Sequence, residues 1–194
     1  MSTATAPRRG RPPLVDPAAV ARAAMTLWAE QGYAATSWQD IADATGLSVR
    51  TLIRRFGSQP GILSVGVDAA VARLRTALAE APLDGNPGEV LRAAVVASVS
   101  RTDAVSVMGR QLMTVLAEEP SLQAWQREAY APWIALLAEA IAVRVPGIDA
   151  DTAHALASGY EAVANAAMRA WARGGGVGAP ADRVEAALAH LALA

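Results

Sequence analysis

The sequence predicts an all-α fold, and three observations carry that prediction. Alanine dominates a chain in which 53% of residues are hydrophobic, and alanine gives up no side-chain entropy on entering a helix. Apolar residues recur three and four positions apart between capping residues, the spacing of helices buried on one face. No segment alternates apolar and polar residues as a half-buried strand would. The 194 residues suffice for one large domain or two small ones with a real core.

The elements follow in order. Asp16-Pro17 is a helix start, a capping acid followed by proline at the first helical position. Val20, Ala24, Leu27 and Trp28 then form one apolar stripe over 17–31, and Gly32 ends it. Ser37 starts a short second helix, with Asp40 three residues on as in a capping box, and Gly46 stops it. Ser48 caps a third, with Leu52 and Phe56 on its core side and Gly57 at its end. Ser58 caps a fourth that runs to Ala81, with Pro60 in the first turn, where a missing N–H costs nothing. The loop "PLDGNPG" leads to helices over 88–101 and 103–118. The stripe Leu122, Trp125, Ala129, Trp133, Leu136, Leu137 and Ile141 predicts one helix over 121–145. A long alanine-rich helix over 151–173, the linker "GGGVGAP" and a last helix over 180–193 complete a set of about nine.

Charge divides the chain. Formal net charge is -1, yet residues 1–62 hold seven arginines against four acids, and residues 63–194 ten against fourteen. A basic N-terminal unit on an acidic body suggests a polyanion-binding head. The boundaries read as a flexible basic arm over 1–15, a helix-turn-helix domain over 16–62 and a body over 63–194, bridged by the fourth helix. There is no cysteine, which excludes disulfides, thiolate metal sites and thiol nucleophiles. His154 and His190 are isolated and give no metal-binding spacing. No nucleophilic triad or glycine-rich phosphate loop occurs, so neither an enzyme nor a cofactor is expected. The N-terminus lacks the apolar segment of a signal peptide, and no run of about 18 apolar residues suggests a membrane span. The cytoplasm is the expected location.

Two short helices joined by a turn containing Gly46 are a helix-turn-helix signature. In that unit the second helix enters the major groove of double-stranded DNA. Ser48, Val49, Arg50, Thr51 and Arg54 would form the reading face, and Arg50 suits either a guanine edge or a phosphate. Upstream, "PRRGRPP" resembles an AT-hook core, and Arg8, Arg9 and Arg11 would enter a narrow minor groove.

These residues resemble the N-terminal domain of the tetracycline-repressor (TetR) family of bacterial transcription regulators. The matching pieces are Ala23-Ala24, Leu27-Trp28, Gly32-Tyr33, Ala35-Thr36-Ser37, Ile41-Ala42, Gly46, Ser48, Thr51-Leu52, Phe56, Ser58 and Leu63. The resemblance implies a homodimer on a palindromic operator, joined through its last two helices, with an effector pocket in each body and Ser37 at the DNA. Three positions depart from the family pattern. Ile53 stands where a phosphate-contacting tyrosine is usual, and Gln59 where a phosphate-contacting lysine is usual, with Pro60 replacing the acid after it.

In the body, large side chains cluster among alanines at Met108, Gln111, Leu112, Met113, Trp125, Tyr130, Trp133, Tyr160, Met168 and Trp171. Such rings and thioethers form either plain core or the wall of an apolar ligand site. Arg101, Arg110, Gln111 and Asn165 are the polar groups that could orient a ligand, with Arg110 the anchor for an anionic group or else the partner of Glu118, Glu119 or Glu161. Small residues at Ala153, Ala157, Ala164, Ala167 and Ala170 suit a self-associating face or packing within the chain. The reading is a ligand-responsive DNA-binding repressor with a small apolar or amphipathic effector. The alternative is a DNA-associated or helical interaction protein whose core is filled.

Overall fold

In the computed structural model, residues 15–100, 113–116 and 119–191 are described. Among them lie nine helices: α1 (Pro17–Gln31), α2 (Trp38–Thr45), α3 (Val49–Phe56), α4 (Gln59–Glu80), α5 (Pro87–Val99), α6 (Pro120–Ala129), α7 (Ala131–Arg144), α8 (Ala150–Arg173) and α9 (Pro180–Leu188). Residues 113–116 form a further helical turn, and no strand occurs among the described residues. The rest of the helix expected over 103–118 lies outside them.

The first four helices begin where their caps require. Asp16 accepts the Ala18 N–H at 2.9 Å ahead of Pro17. Ser37 and Asp40 form a reciprocal box: the Ser37 N–H donates to Asp40 Oδ2 at 2.7 Å, and the Asp40 N–H donates to Ser37 Oγ at 3.2 Å. Gly46 closes α2 in the left-handed region (φ 67°), which glycine enters without a Cβ penalty. Ser48 accepts the Thr51 N–H at 3.2 Å, and Ser58 the Gly61 N–H at 3.3 Å.

The long stripe of the body departs from expectation. The segment over 121–145 is two helices, α6 and α7, meeting at Tyr130. Pro132 lies in the first turn of α7. Its ring would collide with the carbonyl four residues back in a continuous helix, and it has no N–H to donate there. The chain restarts instead, so the apolar period runs on through a break in the helix. The last helix also ends earlier than expected, at Leu188, and a turn over 189–190 sets the partly buried Leu191 against the core.

The core is continuous from head to body. Val20, Ala24 and Trp28 of α1, Ile41 of α2 and Leu52 of α3 pack with Ile62 and Leu63 of α4. Farther along α4, Ala70, Leu74 and Leu78 join Leu91 and Val95 of α5, Trp133, Leu137 and Ile141 of α7, and the buried side of α8. Helix α4 therefore packs on α1 and α3 at one end and on α5, α6 and α7 at the other. Two arginines fasten it. Arg73 donates from Nε and Nη2 to the Ser98 carbonyl at 2.9 and 2.6 Å, near the end of α5. Arg144, at the end of α7, donates to the Leu78 carbonyl at 3.2 Å. No helix among the described residues is long and apolar enough to cross a membrane.

Candidate nucleic-acid interface and body cavity

Helix α3 is held from behind and open in front. Leu52 is fully buried and Phe56 half-buried against the core. Arg50 and Arg54, four residues apart, project from the opposite side and are exposed. Neither is engaged by a hydrogen bond or ion pair among the described residues. Arg55 is exposed too, but its guanidinium lies 5.7 Å from the Phe56 ring centroid, a cation–π contact that draws it to one side. At the leading end of α3, the Ser48 and Thr51 hydroxyls pair at 2.9 Å. Val49 and Ile53 share a flank of the helix, and Ile53 is 43% exposed, a large apolar side chain next to the arginine face. Ser37 is exposed at the start of α2. The Ser37 hydroxyl and N–H hold the Asp40 carboxyl below its ordinary range.

Gln59 faces the other way. Its Nε2 donates to the Thr36 carbonyl at 2.9 Å. Thr36 is buried, donating to the Gly32 carbonyl at 2.8 Å and accepting from Gln31 at 3.2 Å. The first residue of α4 is thereby tied to the α1–α2 turn. Arg8, Arg9 and Arg11 lie outside the described residues.

The body holds a partly open cavity of about 50 Å³. Helix α4 contributes Gly66, Ala70 and Arg73, α5 contributes Ser98 and its neighbour Val99, and α8 contributes Glu161, Ala164, Asn165 and Met168. Met113, Tyr130 and Trp133 complete the lining among the described residues. Of the side chains expected from sequence, Met113, Trp133, Asn165 and Met168 line this space, with Tyr130 brought to it by the break before Pro132. Trp125 and Tyr160 do not line it: Trp125 is half-buried against the core, and Tyr160 is fully buried, with its hydroxyl pushed up by burial. Met108, Arg110 and Gln111 lie outside the described residues.

Of the cavity's polar groups, sequence reasoning offered Asn165, Tyr130 and Trp133 for a pocket and Glu161 only as an ion-pair partner, and it did not place Arg73 or Ser98 there. The Ser98 hydroxyl donates to the Val95 carbonyl at 2.7 Å and accepts from Trp133 Nε1 at 3.3 Å. Asn165 Nδ2 donates to Glu161 Oε1 at 3.0 Å. Burial raises the Glu161 carboxyl, against the opposing pull of the Asn165 bond and the Arg169 charge. Arg73 had one legible signal, a lone charge three residues from Ala70 within the inward stripe of α4.

Comparison with known proteins agrees with this architecture at both ends. Residues 20–64 match the family described as bacterial regulatory proteins, tetR family, and residues 86–193 match the MftR C-terminal domain. The chain belongs to the TetR family. It is 30% identical over 144 residues to MftR of Mycobacterium tuberculosis, named for the regulation of mycofactocin biosynthesis, spanning 74% of this chain and 73% of that protein. Among solved structures, the fatty acid degradation regulator FadR from Bacillus halodurans shares the fold with a TM-score of 0.65 at 16% identity, covering 90% of this chain and 96% of that one. FadR of Thermus thermophilus, a TetR-family repressor in complex with lauroyl-CoA, matches with a TM-score of 0.57 at 19% identity, covering 91% and 93%. The protein is a DNA-binding transcriptional regulator of this family, which consists of regulators and not of enzymes.

Proposed function

We propose that the chain is a homodimeric repressor that holds a palindromic operator with paired α3 helices and releases it when a small apolar or amphipathic molecule enters the body. One observation carries the reading: α4 both lines the cavity and holds the head. Ligand sites for drug-sized molecules span roughly 300–1,000 Å³, whereas this cavity is about 50 Å³. A larger occupant must part the helices around it, and α4 cannot shift without carrying α1 and α3. Binding then favours one head spacing over another, the differential affinity that any ligand-driven switch requires. In the operator-bound dimer the two α3 helices stand about one turn of DNA apart, ~34–36 Å.

The dimer face supported best is the outer side of α8 with α9. Ala155, Ala162, Ala166 and Ala170 are exposed there in one helical row. A Cβ on Gly159, in the same row, would meet nothing within 4 Å, so the chain's own packing does not require glycine at that position. Ala153, Ala157 and Ala164, which the sequence offers for self-association, are buried in the chain's own core instead.

The test is fluorescence anisotropy on palindromes from the protein's own upstream region, with and without a library of apolar and amphipathic compounds. Tight binding that some compound reverses supports the reading. The small cavity favours one second reading, a DNA-binding protein with a filled core. That reading predicts tight operator binding with no release and no thermal shift for any compound.

A further inference from the structure

The cavity is more informative in its polarity than in its size. Resting on the reading of this cavity as the effector site, we infer that its occupant is a neutral, apolar molecule carrying one hydrogen-bond donor, an alcohol or phenol, seated with that donor on Asn165 Oδ1. Asn165 Oδ1 is buried and has no hydrogen-bond partner, while its Nδ2 is spent on Glu161. Leaving a buried acceptor unpaired costs free energy that a ligand donor recovers. Among the described residues the wall carries one cation and one acid, Arg73 and Glu161, and Arg73 is already engaged by the Ser98 carbonyl. A carboxylate or an ammonium therefore meets a like charge in the wall as well as an opposite one, and it must leave water to enter an apolar cavity, a cost that a neutral head does not bear. A neutral donor meets neither penalty. The large side chains of the wall are Met113, Met168, Tyr130 and Trp133, thioethers and rings that favour an aromatic body through sulfur–aromatic contact.

The experiment uses the full chain and four probes of one skeleton: benzyl alcohol, toluene, benzoate and benzylammonium. Dissociation constants come from NMR titration, in the wild type and in Asn165→Leu. Benzyl alcohol is expected to bind about tenfold more tightly than each of the others, the scale of one buried hydrogen bond. In Asn165→Leu the alcohol-to-toluene preference falls to about one, while toluene binds as well or better. Equal or tighter binding of benzoate or benzylammonium overturns the inference, as does an unchanged preference in folded Asn165→Leu. The wild-type series decides by itself if that variant does not fold. Failure of all four probes to bind overturns this inference and leaves the effector reading to the compound library and operator release. Alcohol-selective binding without operator release sinks the effector reading alone and leaves the chemistry of the site standing.

Discussion

Arg50 and Arg54 are where the interface is decided residue by residue. Both are exposed on the side of α3 opposite Leu52, and two kinds of DNA contact separate in their mutants. If the arginine pairs with a phosphate, its replacement by alanine weakens binding to all sequences and lowers the salt slope of log affinity by about 0.9. If it pairs with a guanine, the same replacement costs about 1–3 kcal/mol at one base position and relaxes specificity there. Anisotropy titrations of Arg50→Ala and Arg54→Ala across a salt series, on operator and scrambled duplexes, assign each arginine. Gln59 gives a sharper case, because its side chain is turned inward to the Thr36 carbonyl at 2.9 Å. Gln59→Lys breaks that tie and supplies a cation, so the salt slope is expected to steepen by about 0.9. A slope that does not move would mean that the start of α4 lies away from the DNA backbone.

At the scale of the element, the head rests on helix starts that can be titrated and crowded. Asp40 closes the box at the start of α2, and its folded pKa lies below the ordinary value because ionised Asp40 accepts from Ser37. A depressed acid contributes stability that is complete above its unfolded pKa, about 3.9. That contribution is lost as pH falls through the folded value. Thermal unfolding from pH 7 to pH 3 should therefore show a steeper acid loss in the wild type than in Asp40→Asn. Ser37→Ala should cost about 0.5–2 kcal/mol at neutral pH, the range for removing an N-cap. Gly61 tests the junction of α3 and α4, since a Cβ there would collide with the Phe56 carbonyl oxygen. Gly61→Ala is expected to destabilise by about 1–3 kcal/mol, measured by denaturant unfolding. Gly61 therefore has a steric duty at this junction. Local signals and packing contribute differently through the fold. Starts and stops of α1 to α4 were legible because caps, prolines and glycines act locally. The break at Tyr130 carried a local signal too, Pro132, but the apolar period continues across it and outweighed that signal in the reading. The cavity's polar wall was legible only in part: Asn165 stood out, but Arg73, Ser98 and Glu161 come from α4, α5 and α8, and only packing brings them together.

For the whole molecule, the question is why a chain with net charge -1 binds a polyanion. Its arginine-bearing α3 stands at one end, joined by α4 to a body in which acids outnumber arginines. Repulsion between DNA and the acidic body favours end-on approach, and salt screens that repulsion over about 8–10 Å. One head of this kind offers few contacts, and a second on the same rigid body turns the next half-site into an intramolecular partner at high effective concentration. Operator affinity should then depend on a surface far from the DNA, the exposed small-residue row of α8. Ala166→Glu places a charge in the middle of that row, where in a dimer it would face its own copy across the symmetry axis. In the single chain Ala166 is exposed, so the substitution should leave folding within about 0.5 kcal/mol of wild type. Sedimentation should show the variant as a single subunit at micromolar concentration, with operator affinity reduced by at least about tenfold and half-site affinity unchanged. A variant that stays dimeric and holds the full operator would move the interface off this row and leave the exposed alanines without a partner.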